Sequence, residues 1–182
     1  EAMIRRTLHD LAALRARQYP VVVITGPRQS GKTTLCRMAF GDKPYASLET
    51  PDVREYAVTD PRGFLAEYPD GAVLDEVQRA PHLLSYIQGI VDERHENGLF
   101  ILTGSQHFGL LDAVSQSLAG RSSMLHLLPL ELEELRRFPS PPRDLVTTLF
   151  AGAYPRIHEQ CLPPGEWLAS YTETYVERDV RQ

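Results

Sequence analysis

Eight consecutive residues, Gly26-Pro27-Arg28-Gln29-Ser30-Gly31-Lys32-Thr33, fit the pattern G-x-x-x-x-G-K-[ST] without a mismatch. A loop of this kind wraps a phosphate chain with its backbone N–H groups. Gly26 and Gly31 therefore stand where a Cβ would forbid the needed conformations. The helix expected to follow aims its positive N-terminal end at the same phosphates. Lys32 supplies a cation for the β- and γ-phosphates, and the Thr33 hydroxyl is a ligand for Mg2+. The expected nucleotide-contacting set runs Gly26, Pro27, Arg28, Gln29, Ser30, Gly31, Lys32, Thr33 and Thr34.

A second constellation lies downstream. Ala72-Val73-Leu74-Asp75-Glu76 reads as an apolar strand that delivers two acids at its C-terminal end, the edge where open α/β sheets bind ligands. Beside a phosphate loop, Asp75 is placed to hold Mg2+, and Glu76 to polarise a water for attack on the γ-phosphate. Thr103 and Ser105 end the next strand on the same edge; Ser105 is the preferred sensor of the γ-phosphate, with helix or strand capping as its structural alternative. Arg121 follows Gly120 before the fifth strand, and is a candidate arginine finger toward a neighbouring subunit or else a salt-bridge residue.

The elements that must position these residues alternate along the chain. Ile4, Leu8, Leu11 and Leu14 form a helical stripe that should end before Pro20. Val21 to Thr25 is a β-branched run, the mark of a strand buried on both faces. A helix from Lys32 to about Gly41, a short strand at Tyr45 to Leu48 and two short helices follow, the second capped by Asp60 with Pro61 in its first turn. After the strand at residues 72–74, Leu83, Leu84, Ile87, Ile90 and Val91 share a helical face. Leu99 to Leu102 is a fourth strand. Leu110, Leu111, Val114 and Leu118 line a helix ended by Gly120, and Met124 to Leu128 is a fifth strand. This alternation predicts an α/β domain with a mainly parallel sheet.

Beyond Leu135, Pro139, Pro141 and Pro142 read as a linker; helices are expected at Leu145 to Ala151 and Trp167 to Val180, separated by Pro163, Pro164 and Gly165. The domain expectation is 1–138 for the nucleotide-binding unit and 139–182 for a helical linker and the start of another domain. Glu1 and Ala2 precede an expected natural start at Met3.

Bulk properties narrow the class. Net charge is −5, from 19 basic and 24 acidic residues, which gives no electrostatic footprint for nucleic acid. No apolar run approaches the ~20 residues of a membrane span. Cys36 and Cys161 match no metal-ligand spacing and read as free thiols of a reducing cytoplasm. His82, His95, His107, His126 and His158 form no ligand set. Trp167, Tyr171 and Tyr175, at i, i+4 and i+8, read as a packing stripe, and Glu173, Glu177, Arg178, Asp179 and Arg181 as a solvated face.

The ordered set GPRQSGKTTL, the strand running into Asp75-Glu76-Val77-Gln78, LTGSQ at 102–106, SLAGR at 117–121 and LPLELEEL at 128–135 resembles the predicted AAA-type ATPases of bacteria and archaea. Gly152-Ala153-Tyr154-Pro155 and the stretch from Tyr175 to Arg181 are similar to that family's connecting region. The resemblance implies an additional-strand P-loop core with strand order 5-1-4-3-2 and Walker A and Walker B motifs. It further implies Asp75 on magnesium, Glu76 as catalytic base, a sensor within 103–105 and Arg121 as finger. It also implies a second domain, beginning where this chain stops at Gln182, and no AAA helical lid is recognisable.

The expected function is Mg2+-dependent ATP hydrolysis driving a switch or engine, ATP being favoured by the absence of an Asn-Lys-x-Asp guanine-reading motif. Two alternatives stand beside it. One is a nucleotide-gated module with slow hydrolysis that binds a protein or nucleic acid. The other is a P-loop kinase, for which Arg28, Arg62 and Arg79 are scattered rather than clustered. A homo-oligomer and an unknown protein partner are compatible with both binding readings; no membrane is expected.

Overall fold

The computed structural model of the chain describes residues 4–105 and 108–175, with the side chains at 108–111 outside the description. Gln106, His107, the expected start at Met3, the helix beyond Tyr175 with its charges, and the Leu110 and Leu111 side chains of the expected stripe therefore lie outside the described residues. The chain divides into two compact units, Thr7–Leu127 and Glu1–Arg6 with Leu128–Gln182.

The larger unit runs α1 (Leu8–Ala16), β1 (Val21–Gly26), α2 (Lys32–Ala39), β2 (Tyr45–Ser47), α3 (Pro51–Thr59), α4 (Pro61–Ala66), β3 (Ala72–Asp75), α5 (Leu83–Arg94), β4 (Phe100–Ser105), α6 (Phe108–Leu118) and β5 (Ser122–His126). All strand pairs are parallel, and the order β2-β3-β4-β1-β5 is the expected 5-1-4-3-2 read from the other edge. The fold is α/β with helices on both faces of the sheet.

Two helix layers explain why β1 is apolar from Val21 to Ile24. Val21 and Val23 join Leu74, Phe100 and Leu102 in a core completed by Leu83, Leu84 and Ile87 of α5 and Phe64 of α4. Val22 and Ile24 turn to the other face, with Val73, Ile101, Leu35, Cys36 and Ala12. A strand with period-two side chains and both faces covered has no solvated face, and its one polar side chain, Thr25, is buried with its hydroxyl 2.7 Å from His126 Nδ1. Each apolar side chain of the strand contributes roughly 1.5–3 kcal/mol by burial. Truncating Ile24 to alanine would cost about 2–5 kcal/mol.

Several elements depart from expectation. On α1 the contacting face is Leu8, Ala12 and Ala16, whereas Leu11 (37% exposed) and Leu14 (48%) turn outward. The small alanines at i, i+4 spacing let the helix approach the sheet closely. Ile4 is not on this stripe and belongs to the second unit. β5 begins two residues before the expected Met124, in register Val21↔Ser122 through Thr25↔His126. As an edge strand it tolerates Ser122 and Ser123, which hid it. Leu127 follows the strand, its N–H donating to Thr25 O at 2.7 Å, and Leu128 is exposed. The Asp60 cap stands as expected, accepting from Gly63 N at 2.9 Å.

The second unit holds α7 (Leu132–Leu135), α8 (Leu145–Ala151), α9 (Pro155–Glu159) and α10 (Pro164–Tyr175). A small core of Leu130, Leu135 and Phe138 gathers Ile4 and Ala153. A buried ion pair joins Arg6 to Glu134 at 2.9 Å. Residues 136–144, which include the proline-rich stretch 139–142, connect α7 to α8 within this unit. α9 was not anticipated, and Pro164 and Gly165 lie inside α10 rather than ahead of it; proline is tolerated at the first helical position. Tyr154, Trp167, Tyr171 and Tyr175 form a ladder of rings, Trp167 and Tyr171 stacked at 5.1 Å. Among the described residues no helix is long and apolar enough to cross a membrane.

Candidate phosphate-loop site

The sheet brings the two chemical constellations to one edge. β1 ends in Gly26, the loop crosses to Gly31, and α2 begins at Lys32. Gly31 has φ 94° and Gln29 φ 59°, so the loop turns twice through left-handed conformations. Gly26, at φ 158°, has a second reason to be glycine: a Cβ would come within 2.1 Å of Leu127 O. No side chain caps α2. The first-turn amides of Lys32, Thr33 and Thr34 have no i−4 carbonyl of their own helix to bond, and so form the donor array that an anion would use. Pro27 and Arg28 are half-buried, Gln29 exposed and Ser30 buried within the loop.

Lys32 is 5% exposed and donates to Gly26 O at 3.0 Å and Pro27 O at 2.9 Å. Burial pulls its pKa below the ordinary lysine value, and the negative charges of Glu76 and Asp75 oppose that pull. Cys36, one helical turn on, is buried against the sheet, and its thiol is pushed up to about 12, first by burial and then by Asp75.

β3 delivers Asp75 to this loop. The Thr33 hydroxyl donates to Asp75 Oδ2 at 2.9 Å, and the Tyr45 hydroxyl donates to the same oxygen at 2.5 Å. The Thr103 hydroxyl donates to Oδ1 and accepts the Glu76 N–H at 3.1 Å. Glu76 stands in a left-handed conformation (φ 58°, ψ 47°), which turns the chain sharply as it leaves the sheet. Its carboxylate accepts from Gln78 Nε2, and from Ser105 Oγ at 3.5 Å. Burial, followed by the bond to Asp75, pushes the Tyr45 phenol up to about 12, so it is a proton donor at neutral pH.

Of the expected site residues, then, Gly26 to Thr34, Asp75, Glu76 and Ser105 lie along one end of the sheet. Arg121 does not. Its carbonyl accepts the Val21 N–H at 3.2 Å, at the start of β1, opposite the loop. Its guanidinium is paired with Asp92 at 2.5 and 2.8 Å. Tyr45, Gln78 and the double contact of Thr103 were not anticipated, because they depend on which strands are neighbours. His126 Nδ1 lies 2.7 Å from Thr25 Oγ1, just before the loop.

The oxygen donors of Thr33 and Asp75 suit a small hard cation such as Mg2+. Such a cation takes one or two protein oxygens and completes its shell with water and phosphate. Among the described residues no cluster of three or more His, Cys, Asp or Glu could hold a metal by itself.

An AAA-domain family profile matches residues 18–136, from just before β1 through α7. Two uncharacterized proteins, of Mycobacterium tuberculosis and Mycobacterium bovis, are each 30% identical over all 182 residues, and the chain spans 39% of the length of each. Among solved structures, AMPPCP-bound DnaA from Aquifex aeolicus is 21% identical with a TM-score of 0.55, over 85% of this chain and 57% of that one. A DNA replication initiation factor is 20% identical with a TM-score of 0.54, over 96% of this chain and 62% of that one. At such identities the likeness is one of fold. Family and fold together support a nucleotide-binding ATPase. The chain belongs to the AAA-domain family whose profile spans its sheet.

Proposed function

We propose that this chain binds ATP with Mg2+ and hydrolyses it to drive a conformational change. The observation that carries the reading is the meeting of Thr33 with Asp75, beside Lys32, at the end of β1 and β3. Lys32 exchanges its two loop carbonyls for phosphate oxygens, and the loop amides neutralise the developing γ-phosphoryl charge. Thr33 and Asp75 would hold the cation, which when bound would neutralise phosphate charge. Glu76 orients the attacking water and accepts its proton.

Gln78 and Ser105 both donate to one oxygen of Glu76, Oε2, which turns the other oxygen, Oε1, to the attacking water, in a fast engine as in a slow switch. The domain division at 138/139, a cytoplasmic location, a homo-oligomer and a protein partner belong to the same proposal. Nucleic acid has no support from the charge balance. Isothermal titration tests the core of the reading. Lys32→Ala is expected to lose ATP binding; wild-type affinity in that variant would remove the basis of the assignment.

A further inference from the structure

β2 contributes a side chain to the cleft that no motif accounts for. Tyr45 opens that strand in register with Val73, while Ser47 pairs with Asp75. The phenol reaches along the sheet edge to Asp75 Oδ2 at 2.5 Å, the oxygen that also accepts from Thr33 at 2.9 Å. Asp75 is 5% exposed, and three hydroxyls hold it, from Thr33, Tyr45 and Thr103. The Tyr45 ring is itself fixed, with the Arg37 guanidinium 4.8 Å from its centroid and its body against the core beneath β1.

The arrangement is more than an anchor for a short strand. A carboxylate torsion is soft and two-fold, so without donors of fixed position its two oxygens interchange. Hydrogen bonds to a charged acceptor are short and roughly twice as strong as neutral ones. Donors on both oxygens select one pose, in which Oδ1 faces β4 and Oδ2 faces Thr33. We propose that Tyr45 is a positioning residue for the divalent cation that accompanies the nucleotide, its phenol locking Asp75 with Oδ2 turned to Thr33 so that both protein oxygens of the cation site are in place beforehand. The inference rests on the ATP and Mg2+ reading above. It adds to that reading a contribution from β2, outside the phosphate loop and the strand-end acids. Outer contacts of this type carry large effects: their removal commonly weakens metal binding by about 10–100-fold.

The test is a Mg2+ titration of the protein with a fluorescent non-hydrolysable ATP analogue, repeated in EDTA. Tyr45→Phe keeps the ring over Arg37 and removes only the hydroxyl. It is expected to bind the analogue in EDTA as wild type does, while its Mg2+ half-saturation rises by about tenfold. Arg37→Leu leaves the hydroxyl in place and is expected to stay within about twofold of wild type. Equal or tighter Mg2+ half-saturation in Tyr45→Phe overturns the proposal and leaves the ATP reading standing. A loss of the same size in EDTA marks a merely structural role and also overturns it. Absence of any Mg2+ effect on wild type overturns both readings.

Discussion

Thr103 is fastened to Asp75: its hydroxyl donates to Oδ1 of that carboxylate, while its own oxygen accepts the N–H of Glu76 at 3.1 Å. One fully buried side chain on β4 thereby fixes the carboxylate that ends β3 and the backbone of the acid that follows it. Thr103→Val keeps the shape and removes the hydroxyl, leaving a part-buried N–H without its acceptor and a buried carboxylate short of a donor. Each such loss costs about 1–3 kcal/mol. Urea unfolding is expected to show Thr103→Val destabilised by about 2 kcal/mol, with Thr103→Ser recovering most of it. Equal stability of the two variants would mean that the hydroxyl is idle.

Glu76 separates binding from turnover. Glu76→Gln preserves shape and the contacts to Gln78 and Ser105 in altered polarity, but cannot accept a proton. Phosphate release is expected to fall by about 10²–10⁴-fold, the usual contribution of a general base, with ATP affinity unchanged by titration. A variant that turns over at the wild-type rate would assign the base elsewhere.

The phosphate loop, the strand-end acids and the parallel sheet were legible because each has a local signature. A glycine-hinged loop, a β-branched run and an apolar strand ending in acids need no knowledge of neighbours. Tyr45 and Thr103 were not legible in their roles, since they meet Asp75 only once β2, β3 and β4 lie side by side. Of the two sensor candidates on β4, the fully buried Thr103 contacts Asp75 and the N–H of Glu76, whereas the preferred Ser105 reaches Glu76 at 3.5 Å. On α1 the larger Leu11 and Leu14 dominate the hydrophobic stripe, yet it is Ala12 that packs on the sheet, because its small size permits the close approach. β5 was shifted because an edge strand does not demand an apolar run.

Cys36 predicts an alkaline limit on stability. Its thiol lies buried on α2, with its pKa raised from 9.0 to about 12 by burial and by Asp75. A folded-state value above the unfolded one contributes stability that is complete below pH 9 and is lost as pH climbs toward 12. Cys36→Ala is expected to flatten that part of the stability profile in urea titrations at pH 8 to 11. The exposed Cys161 gives an internal comparison. At neutral pH a thiol-reactive dye should label it at once and reach Cys36 only on unfolding. Two thiols labelled at equal rates in the folded protein would contradict the burial of Cys36.

Arg121 has a different test, because the fold sets it at the start of β1 and pairs it with Asp92. From there it does not serve the phosphate loop of its own chain, so any role in hydrolysis requires a second copy. Turnover per molecule in wild type is then expected to rise with protein concentration, and in Arg121→Ala to stay flat, with ATP affinity unchanged in both. The pair also has a proton signature. The hydrogen bond from Arg121 holds the Asp92 pKa below the ordinary aspartate value. A depressed carboxylate contributes stability above its unfolded pKa and loses it as pH falls through the folded one. In Arg121→Ala the Asp92 carboxyl resonance should titrate higher than in wild type, showing that the pair was formed in solution. Constant turnover per molecule across concentrations in wild type, with that resonance shift present, would leave Arg121 a surface ion pair and nothing more.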